Sequence, residues 1–328
     1  MLGVNTIPIA VVIALALSGQ GQSGAAAREP STLDRALLVA VGQRDLKQIK
    51  RLVAKGANPD AEFVDHAEQM EEPICDPGML LTPLISAARS GDTDVVRTLI
   101  ALGANPNHKG RSGETALLWA IADSRPGVTR FLLAKGAKPN DSAYKGEPVL
   151  AFAARATSAA SYETIGLLVN KGANVNAQDT EGRTALMAAV NDLISDKAKF
   201  LIRRHAALNT QDHRGRTALM AATMLGSKPT VSALLAARAD VNLHDRDGWT
   251  ALSLANYALA RGRPLEGGMI FDGSIEGRRD MVAEMNRAAK SQYGGIVRML
   301  LKHGAKPSPA PKEGARAVET EEKAPYVY

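Results

Sequence analysis

One short stretch of sequence recurs through most of the chain. Residues 182–189 read GRTALMAA, and the same letters return at residues 215–222. Looser copies begin at three further glycines and at one threonine, namely Gly113, Gly146, Gly248 and Thr82. The matching positions 82, 115, 148, 184, 217 and 250 are spaced by 33, 33, 36, 33 and 33 residues. Such a period is typical of repeat proteins, in which each unit stacks on its neighbours.

Each unit reads as a helix, a turn and a second helix. In the first unit Leu37 and Val41 are spaced as on one helical face, and Ile49 and Leu52 as on the next. The run KGANPD at residues 55–60 then ends the second helix, because glycine supplies a left-handed cap and proline stops the helix. His205 and Arg238 stand where other units have this glycine. We expect strain at those two caps, since a Cβ atom at positive φ costs energy.

The Gly-x-Thr-Pro/Ala-Leu start, the Gly-Ala-Asn-Pro/Val-Asn end and the 33-residue period together resemble the ankyrin-repeat family. The resemblance covers residues 28–308, with repeats starting near 31, 80, 113, 146, 182, 215 and 248. It implies an all-α fold, a solenoid of helix-turn-helix units with hairpin-like turns. The family's usual histidine at the fourth residue of the start motif is missing from every copy. The hydrogen bond that this histidine makes between loops is therefore in doubt, whereas the fold is not.

Insertions interrupt the period. Residues 60–81 carry seven acidic residues and no Lys or Arg, and a smaller insertion lies around residues 157–161. The largest insertion, residues 262–294, opens with Pro264 and several glycines; its part from 278 to 291 is predicted to be helical, with Met281, Val282 and Met285 on one face. The tail at residues 309–328 is rich in Pro, Ala, Lys and Glu, which predicts disorder.

The N-terminus has the pattern of an export signal. Residues 7–17 are apolar, residues 18–24 are small and polar, and Ala25 to Ala27 offer a cleavage site. The apolar run is shorter than the roughly 20 residues that span a bilayer. We predict a signal peptide at residues 1–27 and a periplasmic or secreted mature chain without stable membrane insertion. Because no Lys or Arg precedes the run, an uncleaved membrane anchor and an incorrectly assigned start codon remain alternatives.

No catalytic motif is found in the sequence. The six histidines form neither H-x-x-x-H nor H-E-x-x-H, and neither G-x-x-x-x-G-K-[ST] nor G-x-S-x-G occurs. Cys75 is the single cysteine, so neither an intramolecular disulfide nor a cysteine-based zinc site can form. We therefore predict a protein that is not an enzyme and has no cofactor and no metal.

The acidic insertion leaves one alternative open. Its carboxylates, with His66 and Cys75, could bind a metal, but their spacing is less regular than in calcium loops. We interpret it as a solvated acidic loop that could steer a basic partner. The alternative function is a metal-dependent or enzyme-supporting factor that uses residues 60–81 and 262–294.

The charge pattern argues against nucleic acid as the ligand. The net charge is +6 and the pI about 9.4, but Lys and Arg are dispersed among acids, with no run of five. A basic surface for nucleic acid or another anionic polymer is therefore the least favoured hypothesis. We predict a protein partner of unknown identity and a monomeric chain.

Two groups of polar residues recur at the turns. Asp179, Asp212 and Asp245 stand three residues before the start glycine, where their side chains can bond the turn backbone. The same structural role is predicted for Asn174, Asn176, Asn209 and Asn242. The turn tips themselves read Thr180-Glu181, His213-Arg214 and Arg246-Asp247, and these vary between copies.

In the ankyrin family, turn tips and the exposed face of the first helix form a concave partner-binding surface. The resemblance places nine residues of this chain on that surface: Arg183, Arg216, Trp249, His213, Arg214, Asn191, Asp192, Met224 and Tyr257. An exposed tryptophan flanked by arginine is a typical interface anchor, so Trp249 is the most informative of them. It would instead be structural if it packed against the insertion at 262–294. The predicted function is a non-enzymatic scaffold for protein–protein interaction.

Overall fold

The computed structural model describes residues 30–64, 80–110, 113–142, 146–156, 160–191, 195–261 and 278–307. Within them it places fourteen α-helices: α1 Thr32–Gly42, α2 Leu46–Ala54, α3 Pro83–Ser90, α4 Thr93–Ala101, α5 Ala116–Ala122, α6 Pro126–Ala134, α7 Val149–Arg155, α8 Ala160–Asn170, α9 Ala185–Ala188, α10 Asp196–Arg203, α11 Ala218–Met224, α12 Lys228–Ala236, α13 Ala251–Arg261 and α14 Arg278–Lys302. A 3-10 turn, Ala189–Asn191, follows α9. The predicted all-α class is confirmed.

Several predicted segments lie outside the described residues. These are the signal peptide at 1–27, residues 65–79 of the acidic insertion, residues 262–277 of the large insertion, and the tail at 309–328. Among the described helices, none is long and apolar enough to cross a membrane.

The threonine of the repeated stretch begins the first helix of its unit. In five copies the threonine side-chain oxygen accepts a hydrogen bond from the backbone N–H three residues on, at 3.2–3.4 Å. These are Thr82, Thr115, Thr184, Thr217 and Thr250. Such a bond satisfies a helix N–H that has no partner within the helix. All five threonines are buried. The most repeated polar residue of the chain is therefore structural.

The described helices divide between two compact units. The first lies within Met1–Tyr144 and Ser158–Gly172. There α1 packs on α3, α3 on α5, α2 on α4, α4 on α6 and α6 on α8. Its core is made of fully buried aliphatic side chains such as Leu37, Leu84 and Leu117.

The second unit lies within Lys145–Thr157 and Ala173–Tyr328. Its first helices pack in the order α7, α9, α11, α13, and its second helices in the order α10, α12, α14. Leu150, Leu186 and Leu234 are among its buried side chains, with many alanines between them. Each helix pair leaves one side apolar, so stacking on the next pair is what buries it.

A ladder of side chains joins successive repeat ends within each unit. An Asn or Asp oxygen accepts the backbone N–H of the residue that follows the next helix cap, at 2.7–2.9 Å; the pairs are Asp60 with Asn105, Asn107 with Lys138, Asn176 with Ala207, Asn209 with Asp240 and Asn242 with Lys306. Asn174 accepts from the N–H of Asn176 at 3.0 Å. The predicted bond to the turn backbone is confirmed for Asn174, whereas Asn176, Asn209 and Asn242 accept a hydrogen bond from the next repeat end, a structural role that the sequence did not predict.

The acidic insertion is anchored at its base. Strand β1 (Phe63–Val64) pairs antiparallel with β2 (Leu80–Leu81). Within the same unit a Glu62 oxygen lies 2.9 Å from Nε2 of His108. Together with the bond from Asn105 to Asp60, this contact commits two of the seven acidic residues to the neighbouring repeat.

The large insertion ends in a helix that was only partly predicted. The structure extends the predicted helix at 278–291 into one 25-residue helix that also forms the second helix of the last repeat. Gly294 and Gly295 do not interrupt it. A Cβ atom on Gly295 would lie 2.4 Å from Cε of Lys228, so the flexible lysine side chain lies directly against the backbone of α14. The predicted face of Met281, Val282 and Met285 falls among side chains outside those described.

Two caps carry the strain that the sequence predicts. His205 has φ 62° and Arg238 has φ 67°, whereas Gly136 at the equivalent place has φ 89°. The left-handed conformation costs a residue with a Cβ atom about 1–2 kcal/mol. The expectation of a strained cap at both residues is confirmed.

Exchanging the residues at two caps tests this strain. We expect His205→Gly to raise the free energy of unfolding by up to ~1 kcal/mol, because relief of the left-handed strain exceeds the entropy that glycine adds to the unfolded chain. The reverse change, Gly136→His, should lower it by up to ~1 kcal/mol for the same reason; no atom lies within 4 Å of a Cβ there, so no steric clash adds to the strain. Urea denaturation followed by circular dichroism compares the two. Destabilisation by His205→Gly would contradict the interpretation.

Candidate functional site

Three consecutive turns of the second unit, residues 178–183, 211–216 and 244–249, share one construction. In each turn an aspartate oxygen accepts the backbone N–H groups two and four residues further on, at 2.8–3.0 Å; the aspartates are Asp179, Asp212 and Asp245. These are the Asx-turn bonds that the sequence predicts, so the structural role of the three aspartates is confirmed. They hold the turn backbone in one conformation.

Neighbouring turns are joined directly through their backbones. The N–H of His213 donates to the carbonyl of Glu181 at 2.8 Å, and the N–H of Arg246 donates to the carbonyl of Arg214 at 2.9 Å. The side chain of Gln211 adds a bond to the carbonyl of His244 at 2.9 Å. Hydrogen bonds therefore link the turns although this chain lacks the histidine that is usual in the family. The tips of the turns are held one repeat apart in a fixed register.

The start glycine allows the turns to approach this closely. A Cβ atom on Gly215 would lie 2.9 Å from the backbone N of Arg246 and 2.9 Å from Cα of Asp245, and real Cβ atoms do not come that near. Gly215 also has φ 79°. Both the backbone conformation and the space therefore require glycine at this position.

The structure places the predicted partner-binding residues in three classes of exposure. His213 and Arg214 are exposed, as are Arg246 and Asp247 at the next turn tip. Arg183, Arg216 and Tyr257 are half-buried. Trp249 is 7% exposed and Met224 is 1% exposed. Asn191 ends the 3-10 turn, and its side chain and Asp192 lie outside what is described.

The expectation that Trp249 is exposed is wrong. Its ring meets the Tyr257 ring edge to face, with centroids 5.4 Å apart and an interplanar angle of 64°. Aromatic pairs favour this geometry, and removal of the Trp249 ring from water adds to it. Trp249 is therefore a buried residue of the last turn, and the exposed side chains of that turn are Arg246 and Asp247.

Met224 is buried as well. It ends α11, and its carbonyl accepts a hydrogen bond from the Tyr293 hydroxyl at 2.7 Å. Tyr293 lies on α14 and is fully buried. Sequence reasoning missed Tyr293, because its residue number falls within an insertion and the motif pattern assigns it no place. The insertion thus supplies a buried side chain to the repeat before it.

Arg183 is bound within its own turn. Its Nε donates to Oδ2 of Asp179 at 2.6 Å, and the Asp179 side chain is 4% exposed. A charge-assisted bond to a buried carboxylate fixes the arginine against the turn. Its exposed partner-facing area is correspondingly smaller than at Arg214.

Burial raises the pKa of Asp245 above its ordinary value. The backbone N–H groups of Trp249 and Asp247 act in the opposite direction, the nearby Asp247 carboxylate acts with burial, and Arg216 acts against it. Loss of hydration is the largest of these effects, because removing a carboxylate from water disfavours its ionised form. The last turn therefore contains an aspartate that is costly to ionise in the folded state.

The described residues hold no group of three or more His, Cys, Asp or Glu side chains that could bind a metal. The site offers backbone-fixed tips that carry a histidine, two arginines and an aspartate, beside a half-buried tyrosine. This arrangement can contact another macromolecule.

The family model for Ankyrin repeats (3 copies) matches residues 37–143 and 191–261. Among solved structures, the chain is similar to the ankyrin repeat domain of Bcl-3, a member of the IkappaB protein family, at 28% identity and a TM-score of 0.56 over 69% of this chain and 95% of that one. It is similar in fold to an ankyrin repeat domain from Acinetobacter baumannii AYE, at 23% identity and a TM-score of 0.55 over 68% and 98% of the two chains. A search of curated proteins found no match.

The raised pKa of Asp245 predicts a pH-dependent response to substitution. When the pKa of a group is higher in the folded protein than in the unfolded chain, the group's contribution to stability is fully present below the unfolded pKa. That contribution is lost as pH rises through the folded pKa. Asp245→Asn keeps an oxygen for the two backbone N–H groups and removes the titration. We therefore expect the stability of the variant relative to the parent to increase between pH 4 and pH 7, measured by urea denaturation.

Asp245→Ala is the matched control. It removes both hydrogen bonds to the turn at every pH and should cost about 1–2 kcal/mol, because buried N–H donors are left without partners. An Asn variant whose stability relative to the parent is constant or falls from pH 4 to pH 7 would show that burial does not dominate at Asp245.

Proposed function

Because the chain belongs to the ankyrin-repeat family, we propose that it is a non-enzymatic scaffold that binds a partner protein through its stacked turn tips. Ankyrin repeats generally mediate protein–protein interaction. The surface proposed for this chain consists of His213, Arg214, Arg246, Asp247 and Tyr257, and we call it the turn surface.

The hydrogen bonds between successive turn backbones are the observation that carries this proposal. The bonds from His213 to Glu181 and from Arg246 to Arg214 fix the backbone on which the exposed side chains stand. A partner that docks there does not have to order a loop, so little conformational entropy is lost on binding. Rigid display is thus the mechanism by which the repeat supports recognition.

The composition of the turn surface indicates the chemistry of the partner. Arg214 and Arg246 are exposed, and within the described structure no ion pair involves either guanidinium group. Arginine and tyrosine are enriched among residues that dominate interface energies. We infer that the partner offers carboxylates opposite the two arginines and an apolar group near Tyr257.

The alternative of a metal-dependent or enzyme-supporting factor has less support. It rests on the acidic insertion, of which Asp60 and Glu62 are described. Asp60 accepts the backbone N–H of Asn105, and Glu62 contacts His108. Both acids thus serve to hold the insertion base, which favours the scaffold.

We further propose that the protein acts outside the cytoplasm after loss of residues 1–27. The support is the sequence pattern alone: an apolar run of residues 7–17 followed by small residues and Ala25 to Ala27. The alternative is a chain that keeps this segment as an anchor. The two differ in the N-terminus of the protein in the cell.

Site-specific crosslinking tests the turn surface. A photoreactive amino acid at position 213 should capture a partner that the same group at position 203, on α10, does not capture. With the captured partner purified, Arg214→Gln/Arg246→Gln should weaken its affinity by about tenfold or more, because truncating a central interface arginine commonly costs more than 1 kcal/mol. Titration calorimetry measures the affinity.

The control variant is Arg203→Gln/Lys302→Gln, which removes two exposed cations from second helices of the same unit. It should leave the affinity within about twofold, because neither cation belongs to the turn surface and charges in water are screened by physiological salt. Equal loss in both variants would mean that net charge governs binding, and the turn surface would then be rejected.

Mass spectrometry of the protein isolated from its native cells tests export. The expected N-terminal residue is Ala26 or Arg28, after cleavage behind Ala25 or Ala27. An intact residue 1–27 segment in the membrane fraction would support the anchor, and an intact segment in the soluble cell extract would reject both.

A further inference from the structure

The fold gathers cations that are dispersed in the sequence. In the second unit the C-terminal ends of α10, α12 and α14 carry six exposed Lys and Arg side chains, which we call the basic edge: Arg203, Arg204, Arg238, Arg298, Lys302 and Lys306. They come from segments up to about a hundred positions apart. In the sequence no run of five such residues occurs.

The ends of these three helices lie side by side. Helix α10 packs on α12 and α12 packs on α14. Beyond the helix ends, Asn209 accepts the N–H of Asp240, and Asn242 accepts the N–H of Lys306, each at 2.9 Å. Packed helices are about 8–10 Å apart. The six cations therefore lie along one edge of the unit and are not spread around it.

Among the described residues, few acidic side chains lie at this edge. Within the described part of the chain, none of the six side chains forms an ion pair, and Arg204 lies 5.2 Å from the Phe200 ring centroid. Asp240 is the exposed acid nearest in sequence, and its oxygen accepts the N–H of Asn242. Asp196 stands at the opposite end of α10 and pairs with Lys199 at 3.8 Å. The described residues of the basic edge are therefore strongly positive.

Helix stabilisation explains only part of the pattern. Cations in the last turn of a helix interact favourably with its dipole, which accounts for Arg203 and Lys302. It does not account for Arg238 and Lys306, which follow the helix ends. It also gives no reason for Leu301, which is 50% exposed between these cations.

We propose that the basic edge binds the surface of an anionic lipid bilayer. Each Lys or Arg close to such a surface contributes about 1 kcal/mol, which corresponds to about a fivefold change in binding per cation. Leu301 adds an apolar side chain that can enter the headgroup boundary, as on other peripheral surfaces. An exposed leucine within the basic edge favours lipid over nucleic acid, because a phosphate backbone offers it no apolar partner.

The first unit has the same distribution. Exposed cations stand at or just after the ends of its second helices, at Arg51, Lys55, Lys135, Lys138 and Lys171. The turn surface, in contrast, combines Arg214 and Arg246 with the carboxylate of Asp247. The two surfaces use different residues, so lipid and a partner protein need not compete, and this proposal does not depend on the proposed function.

Vesicle binding by the full chain is the test. We expect sedimentation with vesicles of phosphatidylcholine containing about 30% phosphatidylglycerol to exceed sedimentation with phosphatidylcholine alone, and to fall as salt rises. Pure phosphatidylcholine measures any contribution of the apolar residues 7–17. Arg203→Gln/Lys302→Gln should lower the partition coefficient for anionic vesicles by about 25-fold, or fivefold for each cation.

Two variants serve as controls. Arg214→Gln/Arg246→Gln makes the same change in net charge on the turn surface and should lower the coefficient less than about threefold. Arg203→Lys/Lys302→Arg preserves the charges and should bind as the parent does, which separates charge from damage to the fold. Thermal denaturation checks each variant.

Three outcomes would overturn the proposal. One is equal sedimentation with neutral and anionic vesicles. Another is equal weakening by the two Gln double variants, which would reflect net charge only. The third is binding of a 20-base-pair duplex DNA that depends on the basic edge in the absence of vesicle binding, which would assign the edge to nucleic acid.

Discussion

Close contact between neighbouring turn backbones is the constraint on which the second unit depends. The N–H of Arg246 reaches the carbonyl of Arg214 because Gly215 has no Cβ atom in the space between the turns. A larger residue would separate the turns and remove the hydrogen bond. The repeated glycine therefore permits contact between the turn backbones, and the side chains at the turn tips face solvent.

Aspartate side chains inside the turns satisfy backbone N–H groups of the same turns. Asp179, Asp212 and Asp245 each accept two backbone N–H groups that no helix or strand satisfies. At Asp245 the surrounding burial makes the ionised carboxylate costly, and its hydrogen bonds offset only part of that cost. The rigidity of the turns is therefore obtained at some expense in stability.

One repeat produces two unlike surfaces. Its turn tips carry both signs of charge, while the ends of its second helices carry mainly cations. Stacking in a fixed register brings equivalent positions of successive repeats together, so a small bias in each repeat becomes a continuous surface. Dispersed charge in the sequence is consequently a poor guide to the charge of any one face.

The local features could be predicted from the sequence. Asp179 and Asp212 close turns, and Asn174 bonds the turn backbone beside it. Each of these roles follows from the chemistry of one residue and its position in the period. The sequence also predicts the strained caps at His205 and Arg238, because only glycine adopts positive φ without cost.

The tertiary structure decided which turn side chains are exposed and which contacts the large insertion makes. Trp249 follows the turn glycine, as Arg183 and Arg216 do, but the Tyr257 ring beside it makes burial favourable. Tyr293 reaches Met224 across 69 positions of sequence, and Gly295 allows α14 to lie against Lys228. A period fixes what each repeat contributes to itself and to its neighbour. Contacts made by an insertion outside that period depend on where the packed helices bring it.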